Sequence, residues 1–427
     1  MLVHGDRPSP RARYVIRHVL HNILGIDVVF VNDAETFRSA EGPRLSYGMQ
    51  RHEGAMHVPF SGAIDHPLEG GAGPVVEGDR RSMFLVAGEE DVFAGIFHLL
   101  SLQDELRCTV RDVHGRIPSS ALFTVRQGIA DRPWVEEKAL ELGRSIEQRW
   151  PGTRQRASRY RHIVTVDMDN VLRYAGRPWW RAMGASVKEV LRGAWPPVAE
   201  RWRVRAGRSP DPFTQALDRV EGLRDKMDRA IFFFLMQGDG AHDHAADPAH
   251  PLSRASMQRA SRIGEVGIHP SYGTTDGHRS AEQERILLER IIGRPVASSR
   301  QHFLRWRLPD TLRHPAVSGR SEDHTLGFSD RAGFRAGTCT PFPWYDMEHE
   351  RETEVMIHPF AVMDSALIER CGMQPAEVVR TMNTMSDRVR AVGGTFISVW
   401  HDRYLSGHRE FGVWPQVFEQ VVQHARA

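Results

Sequence analysis

Titratable residues recur in one setting along the second half of the chain, directly after a short apolar run. HIVTVDMD (162–169) ends in Asp167 and Asp169, GEVGIHPSY (264–272) carries His269, and PVASSRQH (295–302) ends in Arg300 and His302. HTLGFSD (324–330) closes on Asp330, EVMIHPFAVMD (354–364) holds His358 and Asp364, and GTFISVWHD (394–402) delivers His401. Two carboxylates two positions apart suit a division of labour, one binding a cation while the other takes a proton from water. Asp and Asn after a strand also serve ordinary turns. Neutral imidazole is the commonest side chain on zinc-like ions. A single histidine is more often a plain hydrogen-bonding group, so His269 draws that reading only from the company of Asp169, His302 and His401. A strand-end His401 can protonate a leaving amine if a carboxylate orients its other ring nitrogen, and Asp364 ends the preceding run. The plain alternative is a rim histidine with satisfied partners.

Other stretches are open to two readings. SDRAGFRAGTCTPFPWYDME (329–348) sets Arg335, Trp344 and Tyr345 in a proline-anchored aromatic segment. It is either a surface on which a sugar ring stacks, with Arg335 as donor, or a rigid covering loop. His358 is a further candidate substrate contact. GDGAHDHAADPAHP (238–251) holds histidines that can chelate a metal, but it reads better as a solvated crossover. PWWRAMGASVKEVLRGAWPPVAERW (178–202) is Trp-rich, a substrate wall or simple packing.

The elements that must position these groups follow from periodicity. Those six apolar runs and a seventh, AIFFFLMQGD (230–239), read as strands, and helical patterns such as RSAEQERILLERIIG (279–293) and PAEVVRTMNTMSDRVRAVGG (375–394) separate them. Strands alternating with helices predict an α/β barrel or a wound sheet, and in a barrel the reactive groups gather at the C-terminal strand ends. The first part of the chain differs. A helix over 12–24 leads into the strand IDVVFV (26–31), a loop covers 68–81, and FLVAG (84–88) is another strand. DVFAGIFHLLSLQDE (91–105) reads as a helix that Asp91 can begin, and WVEEKALELGRSIEQRW (134–150) as an amphipathic helix. The polar, basic TRQRASRYR (153–161) reads as a linker, which puts the domain boundary at residue 155.

Bulk composition narrows the function class. With 427 residues and 41% hydrophobic content, two globular domains are expected. Fifty-six basic against 54 acidic residues leave a formal charge of +2, and no segment stands out as a nucleic-acid groove or a partner for an anionic membrane. All basic residues but Lys138, Lys188 and Lys226 are arginine, which reads as coding bias and lowers the weight of arginine clusters. The three cysteines, Cys108, Cys339 and Cys371, have neither disulfide-framework nor metal-ligand spacing. No signal-peptide pattern opens the chain and no apolar run reaches the about 18 residues of a membrane span, so a cytoplasmic location is expected.

Taken in order, TVDMDN, the R-x-x-G-A-x-x-K-E-V-L-R-G stretch, PDPF, IFFFL, VGIHPSY, SRQHF, GFRAGTC-x-PFPWYD, HPFAVMD and SVWHD resemble the polysaccharide deacetylase family, carbohydrate esterase family 4. The leading YVIRHVLHNILGI, DVFAGIFHLLS and HGRIPSS are similar to an uncharacterised domain that precedes the barrel in a bacterial subgroup. The resemblance implies a smaller α+β domain over 1–155 and a distorted (β/α)7 barrel of the polysaccharide deacetylase type over 156–427. It implies a metal-dependent hydrolase that removes N-acetyl groups from a glycan, using zinc, or else cobalt, nickel or manganese. Asp167 resembles the base, Arg300 the arginine that tethers it, His401 the acid and Asp364 its orienting carboxylate. Asp169 and His269 resemble metal ligands. The family's second metal histidine falls where Gly273 stands, so either His302 enters as third ligand or the ion is lost and the barrel is a glycan-binding or polysaccharide-assembly protein. With no export signal, the expected substrate is a lipid-linked or soluble precursor glycan.

Overall fold

The computed structural model describes residues 1–5, 9–66, 81–154, 159–238, 240–313 and 322–426. The expected loop at 68–81 and linker at 153–161 lie wholly or partly outside the described residues. The chain forms two compact units, and neither is continuous. The first comprises 1–160, 333–359 and 387–395; the second comprises 161–332, 360–386 and 396–427. Among the described residues, no helix is long and apolar enough to cross a membrane.

In the first unit, strands β1 (Leu2–Gly5), β2 (Val29–Val31), β3 (Arg44–Gly48) and β4 (Met56–Pro59) make one sheet in the order β2-β1-β3-β4. Every pairing in it is parallel, an α/β trait where the sequence predicted α+β. Helix α1 (Pro10–Arg17) starts at Ser9, whose hydroxyl accepts from Ala12 N at 3.3 Å, and carries Pro10 at its first position. It continues as a π-helical turn over His18–Ile23. The strand expected at 84–88 is a short antiparallel hairpin, β5 (Leu85–Val86) with β6 (Glu89–Glu90). Asp91 does begin a helix, α2 (Val92–Leu100), by accepting from Ala94 N at 3.0 Å. The amphipathic helix forms as predicted, α3 (Trp134–Arg149).

The second unit is built on β7 (Arg161–Met168), β8 (Arg229–Leu235), β9 (Glu265–His269), β10 (Ser298–Ser299) and β11 (Glu322–Asp323), which pair in parallel in that order. The run Ile231–Leu235 is buried throughout, as a strand covered on both faces requires. The chain then gives the first unit an antiparallel hairpin, β12 (Phe342–Asp346) with β13 (Arg351–Ile357). Buried Glu136 of α3 explains that placement, accepting from Thr338 Oγ1, from Cys339 N at 3.2 Å and from Thr340 N at 3.0 Å. Tyr14 of α1 likewise donates to Pro343 O at 2.7 Å. The chain re-enters the second unit with β14 (Val362–Met363) and β15 (Thr395–His401), a parallel pair that joins the sheet through β7. The single strand expected at 354–364 is therefore two strands of different units, and the strand expected at 324–330 is a two-residue strand just ahead of it.

Candidate active site

Adjacent strand ends assemble the site. β7, β8, β9 and β10 are neighbours, so the residues after β7, β9 and β10 share one rim of the second unit. Asp167 lies on β7, and Asp169 follows directly after its last residue, Met168. Backbone bonds from Arg300 N to Ile268 O (3.0 Å) and from His302 N to Pro270 O (3.2 Å) carry the next strand's side chains past His269.

Arg300 is fully buried and donates from Nη1 to Asp167 Oδ1 at 2.7 Å and from Nε to His324 O at 3.0 Å. Its guanidinium lies 4.5 Å from the centre of the Phe233 ring, a fit that lysine cannot reproduce. Asp167 Oδ2 remains, 3.9 Å from His269 Nε2.

Asp169, His269 and His302 each offer one ligand atom, and these atoms lie within 4.8 Å of one another. Asp169 Oδ1 is 3.5 Å from His269 Nε2 and 3.9 Å from His302 Nε2. The far nitrogens decide the tautomers. His269 Nδ1 lies 2.5 Å from Arg300 O, a carbonyl that only accepts, so Nδ1 bears the proton. His302 Nδ1 lies 2.8 Å from the carboxylate of Asp243, with the same consequence. In the neutral rings both Nε2 lone pairs then face Asp169. Asp169 Oδ1 itself is buried with no hydrogen-bond partner among the described residues. One oxygen and two imidazole nitrogens around an unsatisfied buried anion fit a first-row divalent ion. Burial alone would raise the Asp169 carboxyl; the nearby His269, His401 and His302 outweigh it and hold the group well below its usual range.

On the other flank, His401 at the end of β15 is fixed twice by Asp364, with Nδ1 to Oδ1 at 2.6 Å and backbone N to Oδ2 at 2.7 Å. Burial disfavours the charged ring, but the Asp364 carboxylate prevails and raises His401 to about 9. His401 Nε2 is 3.9 Å from Asp169 Oδ2.

Three further groups complete the setting. Asp243, read from sequence as part of a solvated crossover, is buried and accepts from both His302 and Tyr272 N (3.0 Å). Its signal was a carboxylate between two histidines in an otherwise small-residue loop. Arg403 Nη1 lies 3.4 Å from Asp169 Oδ2 while Nη2 holds Glu369 at 2.8 Å. Asp402 Oδ2 accepts from Asn170 N and Val171 N at 2.9 and 2.8 Å, tying down the turn that carries Asp169. Both follow His401 in sequence, the only sign of their place.

The four expected substrate contacts belong to the first unit. Arg335 is committed to Glu105 at 2.6 Å. Trp344 and Tyr345 are buried on β12, and Tyr345 packs 5.1 Å from the Tyr14 ring and 5.3 Å from Phe97. These rings fill a core, so the sugar-stacking reading of Arg335, Trp344 and Tyr345 is withdrawn. His358, just past β13, is buried in the same unit.

Residues 1–151 match the model of a family of unknown function, DUF7033. No curated protein matches the chain in sequence. Among solved structures, the chain is similar to a protein assigned as a polysaccharide deacetylase from Mycobacterium smegmatis, at 15% identity over 64% of this chain and 86% of that one (TM-score 0.38). It is also similar to the polysaccharide deacetylase Bc1974 from Bacillus cereus, at 12% identity over 62% and 87% of the two chains (TM-score 0.30). A third is the Xyl-CE4 domain of a multidomain xylanase from the hindgut metagenome of Trinervitermes trinervoides, at 12% identity over 63% and 86% (TM-score 0.27). Identities this low leave the reading of the site to its own side chains.

Proposed function

We propose that the second unit is a metal-dependent hydrolase that removes N-acetyl groups from a glycan. The observation that carries this reading is the convergence of Asp169, His269 and His302, flanked by one carboxylate paired to arginine and one histidine paired to aspartate. A divalent ion held by those three side chains supplies Lewis acidity toward an acetamide carbonyl. Asp167, with Oδ1 occupied by Arg300, offers Oδ2 to take a proton from the attacking water. His401, with Nδ1 committed to Asp364, presents its proton at Nε2 to the departing amine. Water adds to the carbonyl carbon, the C–N bond breaks, and acetate leaves beside a protonated amine. The same reading takes the strands of the second unit as a closed distorted barrel. Its support is the bond from Phe360 N to Leu326 O at 3.0 Å and a shared core of Ile163, Ile231, Phe233, Phe360, Ile397 and Val399.

Acetate release from N-acetylated oligosaccharides, with zinc added, tests the proposal. Asp167→Asn and His401→Ala are each expected to lower kcat by about 10²–10⁴-fold. Turnover retained in both variants removes the assigned roles. Purified protein that takes up no divalent metal removes the reading altogether.

A further inference from the structure

In the second unit, helix α4 (Trp179–Leu191) packs against α5 (Trp195–Arg205) with its polarity reversed. α4 buries Ala182 and Ser186 and turns Trp179, Trp180, Met183, Val187, Val190 and Leu191 to solvent. At the pitch of an α-helix these six occupy about one-third of the circumference, a continuous apolar stripe. On α5, Trp195 and Trp202 are exposed as well. Exposure is substantial, 82% for Leu191, 68% for Trp179 and 64% for Trp195. The polar contacts that usually face water lie between the helices instead. Arg201 reaches Glu189 with both terminal nitrogens at 2.7 Å and also donates to Ser186 Oγ at 3.0 Å. The Trp-rich segment is therefore not packing, and an apolar surface of this kind marks an interaction site.

Its charge selects the partner. Between residues 173 and 208 there are nine Lys or Arg against two acids, Glu189 and Glu200. Both acids are occupied, Glu189 by Arg201 and Glu200 by Tyr174 and His408. Lys188, Arg192, Arg203 and Arg208 are exposed, with no acidic partner among the described residues. The formal charge of +2 for the whole chain conceals this local excess. Indoles favour the headgroup level of a bilayer, and basic side chains beside an apolar helical face favour anionic lipid. A second copy fits poorly, because two-fold pairing of this patch sets like charge against like.

We infer that the α4–α5 hairpin docks into the interface of an anionic lipid bilayer. The start of α4 is tied to the rim that carries the site, through Arg177 Nη2 to Asn170 Oδ1 at 2.9 Å and Arg181 Nη1 to Gly238 O at 3.1 Å. Docking thus holds the strand ends of β7 and β8 close to the headgroups. The inference concerns binding and stands apart from the hydrolytic reading.

Flotation of the full chain with vesicles tests it, using phosphatidylcholine alone and phosphatidylcholine with about one-third phosphatidylglycerol. The chain is expected to float with the anionic vesicles only, with blue-shifted tryptophan emission, and to be released at about 0.5 M salt. Lys188→Glu with Arg192→Glu is expected to weaken binding about tenfold or more, and Trp179→Ser with Trp180→Ser to abolish the blue shift, at unchanged Tm. Failure to float with either vesicle overturns the inference. So does a lipid-free dimer that the Trp179→Ser and Trp180→Ser variants dissolve, since the patch would then be a self-association surface.

Discussion

Asp243 lies outside the proposed ligand set and holds one of its members. Its carboxylate holds His302 Nδ1 at 2.8 Å, which sets both the ring orientation and the tautomer that frees Nε2. Losing such a partner typically costs about 10–100-fold in metal affinity. Asp243→Ala is expected to weaken zinc binding by about that factor in chelator competition, and Asp243→Asn, which keeps an acceptor oxygen, by less. Equal affinity in all three proteins would mean that the ring is held by something else. Arg300 presents a different case, because it is buried against an equally buried Asp167. Removing one partner of such a pair typically costs about 3–5 kcal/mol, through the charge left behind. Arg300→Met is expected to lower unfolding stability by about that much, and adding Asp167→Asn to recover part of it. Additive losses in the double variant would contradict the pairing.

At the scale of elements, the turn after β7 is held in a costly conformation. Val171 has φ of +59°, in the left-handed region that β-branched residues avoid. Asp402 keeps it there through the amides of Asn170 and Val171, one residue from Asp169. Phe303 and Leu304, at φ of +58° and +54°, repeat the pattern directly after His302. Strain of this kind persists where surrounding structure imposes it, and it clusters at functional sites. Asp402→Ala leaves two amides without their acceptor and is expected to cost about 1–3 kcal/mol per orphaned group in urea unfolding. Zinc affinity should fall alongside, and a stable variant with unaltered affinity would refute the coupling.

For the molecule as a whole, the first unit carries two buried histidines, His18 and His98, that burial lowers to about 4. An unfolded histidine protonates near its ordinary 6.5, so between the two values the unfolded chain binds more protons and stability falls as pH drops. Each histidine contributes a loss on the order of 3 kcal/mol across that window, none of it above pH 7. The melting midpoint is expected to fall steadily from pH 7 to pH 5, with a shallower slope in His98→Phe, whose ring sits among Phe84 and Phe123. A midpoint independent of pH would show that these rings are hydrated in solution. Cutting the chain at residue 155 is expected to yield aggregating fragments, since residues 333–359 then lose Glu136 and Arg335 loses Glu105.

Much of the chemistry was legible before any fold. Apolar runs ending in Asp167, Asp169, His269, Arg300, His302 and His401 state their own strand ends, because a two-residue period and a polar stop are local properties. The pairings of Asp364 with His401 and of Arg300 with Asp167 were also expected there, the second from motif order. Local pattern could not say that Trp344 and Tyr345 belong to another unit's core, or that Asp243 leaves its loop to hold His302. Nor could it tell that α4 faces its apolar stripe outward. Each of these depends on which distant backbone lies alongside, and side-chain identity along one strand or helix carries no record of that neighbour. Chain order determined what the residues can do; tertiary packing alone decided which of them meet.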